Sequence, residues 1–279
     1  MDDVEHVLIV GGGIGGLTLA AALHQQGLRV EVVERNPEWH TLGAGLSVQP
    51  NGLRVLRQLG LDRAVMDAGC VVGRWLFADQ HGAVLCDIDL DSVWGEVGPC
   101  VGIARSRLQE VLVAGARPVP CRLGTSIAAI DERDRQVSAR FTDGSTDDYD
   151  LVVGADGIRS TVRDLAFGKL EPTLAGQISW RSLAPITLPG PPSIQFWLGD
   201  GCFFGLCSVG DCHTYGFANV THERQHDPVE GRLVRLRNRF ADFGDTVQAY
   251  LACLERDEQI HCSAIEWIEQ ERWHAGSVV

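Results

Sequence analysis

The sequence predicts an α/β protein in which a covered, largely parallel sheet is followed by an antiparallel β layer. Three observations carry this. Apolar strand signals at VLIV, RVEVVE and DLVVGAD bracket the first half, with helical patterns between or after them, as a sheet covered on its faces requires. A glycine-rich turn, from Gly11 to Gly16, joins the first strand to a helix of small residues. After Phe167 the texture changes, and Pro172, Pro185, Pro189, Pro191 and Pro192 punctuate short β-like runs.

Taken in order, Val7 to Val10 reads as a strand and Leu17 to Leu23 as the core of a helix. Residues 51–59 read as a helix with Asn51 as N-cap and Gly60 as terminator. Arg105 to Leu112 follows as another helix, its Leu108, Val111 and Leu112 spaced to face one side. The segment from Gln136 to Asp150 is a hairpin signal, VSARF followed by the turn pair Asp143-Gly144 and a polar return. The antiparallel layer is assigned to QISWRSLAPI, SIQFWLG, CFFGLCSV and HTYGFANV, the last two joined by Gly210-Asp211. Two amphipathic helices are expected around 230–242 and 245–256, with Leu233, Val234, Leu236 and Phe240 on one side of the first.

Composition narrows the function classes. The chain has 279 residues, 45% apolar and 22% charged, which excludes disorder, collagen and coiled coil as global descriptions. Its 24 Lys and Arg face 37 Asp and Glu, a net charge of −13 that opposes binding to phosphate backbones and anionic lipid. Neither nucleic acid nor membrane is an expected partner. Nine cysteines, an odd number, fall short of a disulfide-built scaffold and read as reduced thiols. From His6 to Leu28 no Lys, Arg, Asp or Glu occurs, but five glycines break the run and acidic Asp2, Asp3 and Glu5 stand where a signal peptide carries basic residues. The expected compartment is the cytoplasm.

Gly11, Gly13 and Gly16 form G-x-G-x-x-G directly after a strand and at the mouth of a helix. That context lets the backbone turn tightly, lets a pyrophosphate approach without meeting a Cβ, and aims helix N-terminal N–H groups at the anion. Glu34 ends the next strand, at the spacing where an acid accepts ribose hydroxyl hydrogens and repels a ribose phosphate. The alternative is a turn that merely packs a helix on a sheet. By itself the motif does not separate NAD from FAD.

HVLIVGGGIGGLTLAAALHQQGLRVEVVER, GAGLSVQPNG at 43–52, IARSRLQEVL at 103–112 and DLVVGADGIRSTVR at 150–163 together resemble the FAD-dependent aromatic hydroxylases. These are the class A flavoprotein monooxygenases, which include the 4-hydroxybenzoate and salicylate hydroxylases. The resemblance implies a Rossmann-like FAD-binding three-layer α/β domain of ββα type with a mixed sheet, carrying an inserted antiparallel β-sheet substrate domain. It places the ADP half of FAD on Gly11, Gly13, Ile14, Gly15, Gly16 and Glu34, with Arg35 near the adenosine and Gly45 among the cofactor contacts. Arg105 resembles the arginine that meets the diphosphate and ribityl region, a site suited to the paired donors of a guanidinium. Position alone favours a solvated arginine at a helix start, and the surrounding motif reverses that preference. Asp156 and Gly157 resemble the Asp-Gly pair that serves both FAD and the incoming NAD(P)H, and Asp156 also suits a helix N-cap.

The implied activity is hydroxylation of an aromatic or polyketide-like small molecule with NAD(P)H and oxygen, through a flavin hydroperoxide. Such chemistry requires a pocket that holds substrate and excludes water. Trp180, Phe196, Trp197, Phe203, Phe204 and Tyr215 are candidates for its wall, or else for core. Arg181, in SWRSLAP, resembles an arginine beside the isoalloxazine, whereas the residues alone read it as an outward-facing strand residue. His213 and Tyr215 alternate on one strand and so face one side, where they could orient a phenol. The bland reading of His213 is a core histidine with one hydrogen bond. Cys202, Cys207 and Cys212 lack the paired spacing of a zinc site and read as small buried hydrophobes, so no metal is expected.

The implied organisation is an FAD-binding domain over 1–166, with part of the substrate-side layer near 70–100, a β-sheet substrate domain with helices over 167–265, and a return to the FAD domain over 266–279. Relatives continue beyond the stretch ERWHAGSVV into a strand and a Gly-Asp motif, so the chain is expected to be shortened before that motif and to leave a sheet edge open. A second chain or a homodimer is the expected macromolecular partner. A reductase or halogenase of the same nucleotide fold is disfavoured by the Asp-Gly pair. The reading from another class is a catalytically impaired or split flavoprotein fragment that acts as a nucleotide- or partner-binding subunit.

Overall fold

A computed structural model describes residues 4–39, 44–133, 136–221 and 226–279. Contacts divide the chain into two compact units, one of Met1–His40, Gln109–Thr173 and Glu266–Val279, the other of Thr41–Leu108 and Leu174–Ile265. Residues 44–69 thus group with the second unit. The physical reason is pairing: strands Gly45–Val48 and Cys70–Val72 both hydrogen-bond to Cys100–Ala104, and that small sheet packs on the second unit's own strands. Gly102 permits the approach, because a Cβ there would lie 2.0 Å from the carbonyl oxygen of Ser208.

The first unit is built on a four-stranded parallel sheet in the order Leu151–Gly154, His6–Val10, Arg29–Glu34, Cys121–Leu123. Val7, Leu8, Ile9 and Val10 are all buried, as expected of a central parallel strand covered on both faces. A three-stranded antiparallel sheet, Ile127–Arg133, Gln136–Phe141 and Thr146–Tyr149, supplies Phe141 and Tyr149 to the same core as Leu8, Val33 and Val152. Its hairpin turns at Gly144, with φ +86. Tyr149 donates a 2.8 Å hydrogen bond to Glu31, which also pairs with Arg122, and the Arg122 guanidinium lies 3.9 Å over the Phe141 ring. Beside Leu151–Gly154, the edge expected to stand open is met by the last residues. Val152 N–H donates to Ser277, Val279 N–H to Val152 and Gly154 N–H to Val279.

The second unit carries a seven-stranded sheet, His261–Trp267, Thr173–Ala184, His213–Thr221, Cys202–Gly210, Ser193–Gly199, Arg74–Asp79 and Val84–Asp89 in that order. Ser193–Gly199 pairs in parallel with Arg74–Asp79, so the layer is mixed and not wholly antiparallel. Side chains alternate across it. Trp180, Trp197, Phe204, Ala218 and Val220 face one way, onto Leu233, Leu236, Phe240 and Tyr250 of the following helical segment. Helix Arg232–Arg239 buries Leu233 and Leu236, but Val234 is exposed, because it sits about 100° around the helix from Leu233. The helix Pro50–Gln58 opens with Gln49 as N-cap and Pro50 in its first turn, so Asn51 lies inside it and does not cap it. The hairpin after Cys202–Gly210 turns on Asp211 and Cys212, with φ 49 and 57, and not on Gly210-Asp211. Cys212 is therefore exposed on a turn, unlike the buried Cys207.

Tyr250, in helix Asp245–Ala252, pins the helical layer to the sheet. Its hydroxyl donates to the Ser182 carbonyl at 2.9 Å and accepts from Gly216 N–H at 3.0 Å, with Ser182 Oγ at 2.8 Å. Gly216 must be bare, since a Cβ would meet the Tyr250 ring at 2.5 Å. Tyr250→Phe is expected to cost about 1–3 kcal/mol, because buried partners lose their hydrogen bonds. Urea unfolding checks this through a lower midpoint at unchanged slope.

Candidate functional site

Each unit contributes its own constellation. In the first, strand His6–Val10 runs into Gly11, whose φ of +112 and whose N–H bond to Val33 at 2.8 Å turn the chain into the helix Ile14–Gln25. The glycines divide their roles. A Cβ on Gly11 would lie 2.4 Å from Ala155 O, one on Gly12 2.5 Å from the Trp39 ring, and one on Gly16 1.9 Å from Gly11 O. Those three are required by packing. At Gly13 and Gly15 a Cβ would meet no described residue within 4 Å, so open space among the described residues faces the backbone there. The helix start has no side-chain cap and no acid in its first turn, which leaves its N–H groups available to an anion.

Glu34 closes the cradle. Its Oε2 accepts the Gly12 N–H at 2.8 Å, and its Oε1 accepts the Asn36 backbone N–H at 2.9 Å and the Asn36 amide at 2.8 Å. Gln109, buried, donates to Gly12 O at 2.8 Å and holds the loop from below. Helix Thr161–Phe167 has Ser160, not Asp156, as its N-cap, while Asp156 Oδ2 accepts the N–H groups of its first two residues, Thr161 at 2.7 Å and Val162 at 3.2 Å. The Asp156 Oδ1 is buried and, among the described residues, has no partner. A buried carboxylate oxygen without a donor signals a missing ligand hydroxyl, amide or water. Gly157 follows with φ +84, and Arg35 is exposed. An uncapped helix start, bare backbone at Gly13 and Gly15 and an unpartnered acid oxygen fit a dinucleotide with an anionic linker.

In the second unit a cavity of about 800 Å³ opens on the sheet face opposite the Trp180 core. Strand alternation explains its lining. Arg181, Phe196 and Phe217 occupy the positions next to Trp180, Trp197 and Ala218 and so point the other way. Phe196 meets Phe217 edge-on at 5.6 Å, and Tyr215 stacks on Phe217 at 5.2 Å. Gly45 forms part of the wall because a Cβ would lie 2.6 Å from the Tyr215 ring. Arg181 donates to Ser263 at 3.0 Å, and Arg105 and His261 also line the space. Burial pushes the Tyr215 hydroxyl pKa up, although the nearby Arg181 charge offsets part of this. Burial, reinforced by Arg181, Arg232 and Arg105, pushes the His261 pKa down and favours the neutral ring.

The structure places Arg181, Tyr215, Gly45 and Arg105 on one cavity. His213 is elsewhere. It stands exposed beside the Asp211-Cys212 turn, its Nδ1 2.7 Å from Asp211 O, because the cavity ends before the strand does. Of the six aromatic candidates for the wall, Phe196 and Tyr215 line it, Phe203 packs on Phe196 and Phe217 without lining it, and Trp180, Trp197 and Phe204 belong to the opposite core. Sequence reasoning missed Trp75, Phe217 and His261. Phe217 was accessible through its alternation with Tyr215; Trp75 and His261 depend on strand order, which no local signal gives.

Fold and cradle together define a dinucleotide-binding α/β protein of the flavoprotein type. The chain belongs to the FAD binding domain family, which matches it over residues 5–201. It is 35% identical over 218 residues to aurachin C monooxygenase/isomerase of Stigmatella aurantiaca, covering 77% of this chain and 57% of that protein. It is 30% identical over 264 residues to 6-hydroxynicotinate 3-monooxygenase of Pseudomonas fluorescens, covering 90% and 69%. Among solved structures it resembles HpxO of Klebsiella pneumoniae complexed with FAD and uric acid, with a TM-score of 0.90 and 26% identity over 98% of this chain and 71% of that one. The chain thus spans less than two thirds of the first of these relatives. Among the described residues no helix is long and apolar enough to cross a membrane.

Proposed function

We propose that the chain is an FAD-dependent monooxygenase that hydroxylates a small aromatic molecule, using NAD(P)H and oxygen. The observation that carries this reading is the second unit's cavity, in which stacked aromatic rings and a guanidinium converge on space for a planar substrate. Gly11, Gly13, Ile14, Gly15, Gly16, Glu34, Asp156 and Gly157 would hold FAD, with Arg35 as a further contact supported by the family resemblance. Bound FAD would supply the redox chemistry, accepting electrons from NAD(P)H and activating oxygen.

The remaining work falls to the chain. Phe196 and Phe217 give a ring its apolar walls and keep water from it. The Tyr215 hydroxyl stays protonated at neutral pH and so donates a hydrogen bond. Arg181, fixed by Ser263, offers positive charge where a substrate oxygen gains negative charge. The relatives named for hydroxylated or heteroaromatic substrates support the substrate class, and nine unpaired cysteines support a cytoplasmic setting.

The test is a visible spectrum of the purified chain with FAD, followed by NAD(P)H oxidation against a panel of phenols and hydroxy-heteroaromatics. A bound flavin, phenol-stimulated oxidation and a product heavier by one oxygen are expected. No flavin uptake would end the proposal. Arg181→Ala is expected to keep flavin binding and lower kcat/KM by about 100-fold, since it removes one partner of a desolvated polar pair.

A further inference from the structure

The titratable groups that line the second unit's cavity, among the described residues, are Arg105, Arg181, Cys207, Tyr215 and His261. No Asp or Glu is among them. Two are permanent cations, and a phenol and a thiol are protonated at neutral pH even before burial raises them further. That leaves one group able to take up a proton. We propose that His261 is the base of this site, accepting the ring hydroxyl proton of a hydroxyaromatic substrate; the inference rests on the monooxygenase reading and names a residue for it.

The step is a proton transfer. The substrate O–H bond breaks, its electron pair stays on oxygen, and an N–H bond forms on the imidazole. The phenolate produced is the more electron-rich ring, which is what an electrophilic oxygen transfer requires. Arg181 lies on the strand next to that of His261, bonded to Ser263 two residues further on, so its charge and the acceptor are held on adjacent strands. The arginines act on both partners. They favour the anion on the substrate, and they keep the free imidazole neutral and ready to accept. The imidazolium formed among Arg181, Arg105 and Arg232 is then inclined to return its proton to the product oxygen. His261 is half-buried, and Tyr215, held protonated, cannot compete for the role.

The test uses the flavin-loaded chain with 4-hydroxyacetophenone as probe, whose phenolate absorbs at longer wavelength than its phenol. Without NAD(P)H, the wild type is expected to bind the probe with about tenfold more phenolate at pH 7 than H261Q, a shift of about one pKa unit. With NAD(P)H, H261Q is expected to lower probe-stimulated oxidation about 100-fold at pH 7, and the deficit should close as pH rises past the probe's own ionisation. A purely structural role for His261 would leave a deficit that pH does not repair. H261N carries the same comparison should H261Q fail to fold. Equal phenolate bands, equal pH profiles, or a probe bound only as the neutral phenol would overturn the assignment while leaving the monooxygenase reading standing. Absence of flavin binding or of phenol-stimulated oxidation in the wild type would instead remove that reading, and the assignment with it.

Discussion

Asp227→Ala is expected to destabilise the protein by about 3–5 kcal/mol, the cost of leaving a buried cation uncompensated. Asp227 and Arg232 are both buried, with side-chain exposures of 7% and 8%, and their charges meet at 3.1 Å. Asp227 also accepts from the Trp180 indole N–H at 2.8 Å and from Arg235 at 2.6 Å. Arg232 in turn donates to Ile260 O at 2.7 Å, which ties the first turn of helix Arg232–Arg239 to the strand that carries His261. Removing the carboxylate therefore strands a guanidinium, an indole N–H and the start of a helix at once. Thermal and urea unfolding of the variant measure the loss; a change below 1 kcal/mol would show that water reaches the guanidinium and takes the carboxylate's place.

The same carboxylate predicts a pH dependence. Burial alone would raise the Asp227 pKa, but the bonds from Trp180, Arg235 and Arg232 and the charge of Arg235 outweigh it and hold the group below its ordinary value. A folded-state pKa below the unfolded one means that the unfolded chain binds the proton more readily. The contribution is therefore fully present above the unfolded value of about 3.9 and is lost as pH falls through the folded one. Stability of the wild type and of Asp227→Asn is expected to converge on acidification.

The second large effect separates glycines that the motif alone treats alike. Gly16→Ala puts a methyl 1.9 Å from Gly11 O, against backbone that cannot yield cheaply, and is expected to lose both flavin binding and fold stability. Gly13→Val puts its bulk into open space at a φ of −77, which any residue adopts. It is expected to leave the melting temperature nearly unchanged while weakening FAD at least about 100-fold, a loss of about 2.7 kcal/mol in binding. Flavin fluorescence titration beside a thermal melt reads both numbers. Equal flavin affinity in Gly13→Val and the wild type would mean that no anion approaches the backbone there.

Much of this was legible in the residues and some was not, for reasons that differ by element. The central strand, the glycine turn, Glu34 and the Asp143-Gly144 hairpin are local events, written within a few neighbouring residues. Arg181 and Tyr215 were found because a short motif and a two-residue period mark them. His213 shares that period, but period fixes a side and not a depth, and the exposed strand end lies outside the cavity. Trp75 reaches the cavity wall only because Arg74–Asp79 pairs in parallel with a strand more than a hundred positions later, and His261 because an edge strand joins beside Thr173–Ala184. Such pairings are fixed by long-range packing, on which a single sequence is silent. The grouping of residues 44–69 with the second unit has the same origin.

Glu34 enters any encounter with a nucleotide already aimed. Three donors, the Gly12 N–H of the glycine turn and two from Asn36, steady both oxygens, yet a carboxylate has about four acceptor directions, so one remains for a guest. The entropy of orienting this acid is met when the chain folds and not again when the ribose arrives. Tightness at this corner therefore depends on Asn36 as well as on the acid itself, although Asn36 needs no contact with the guest.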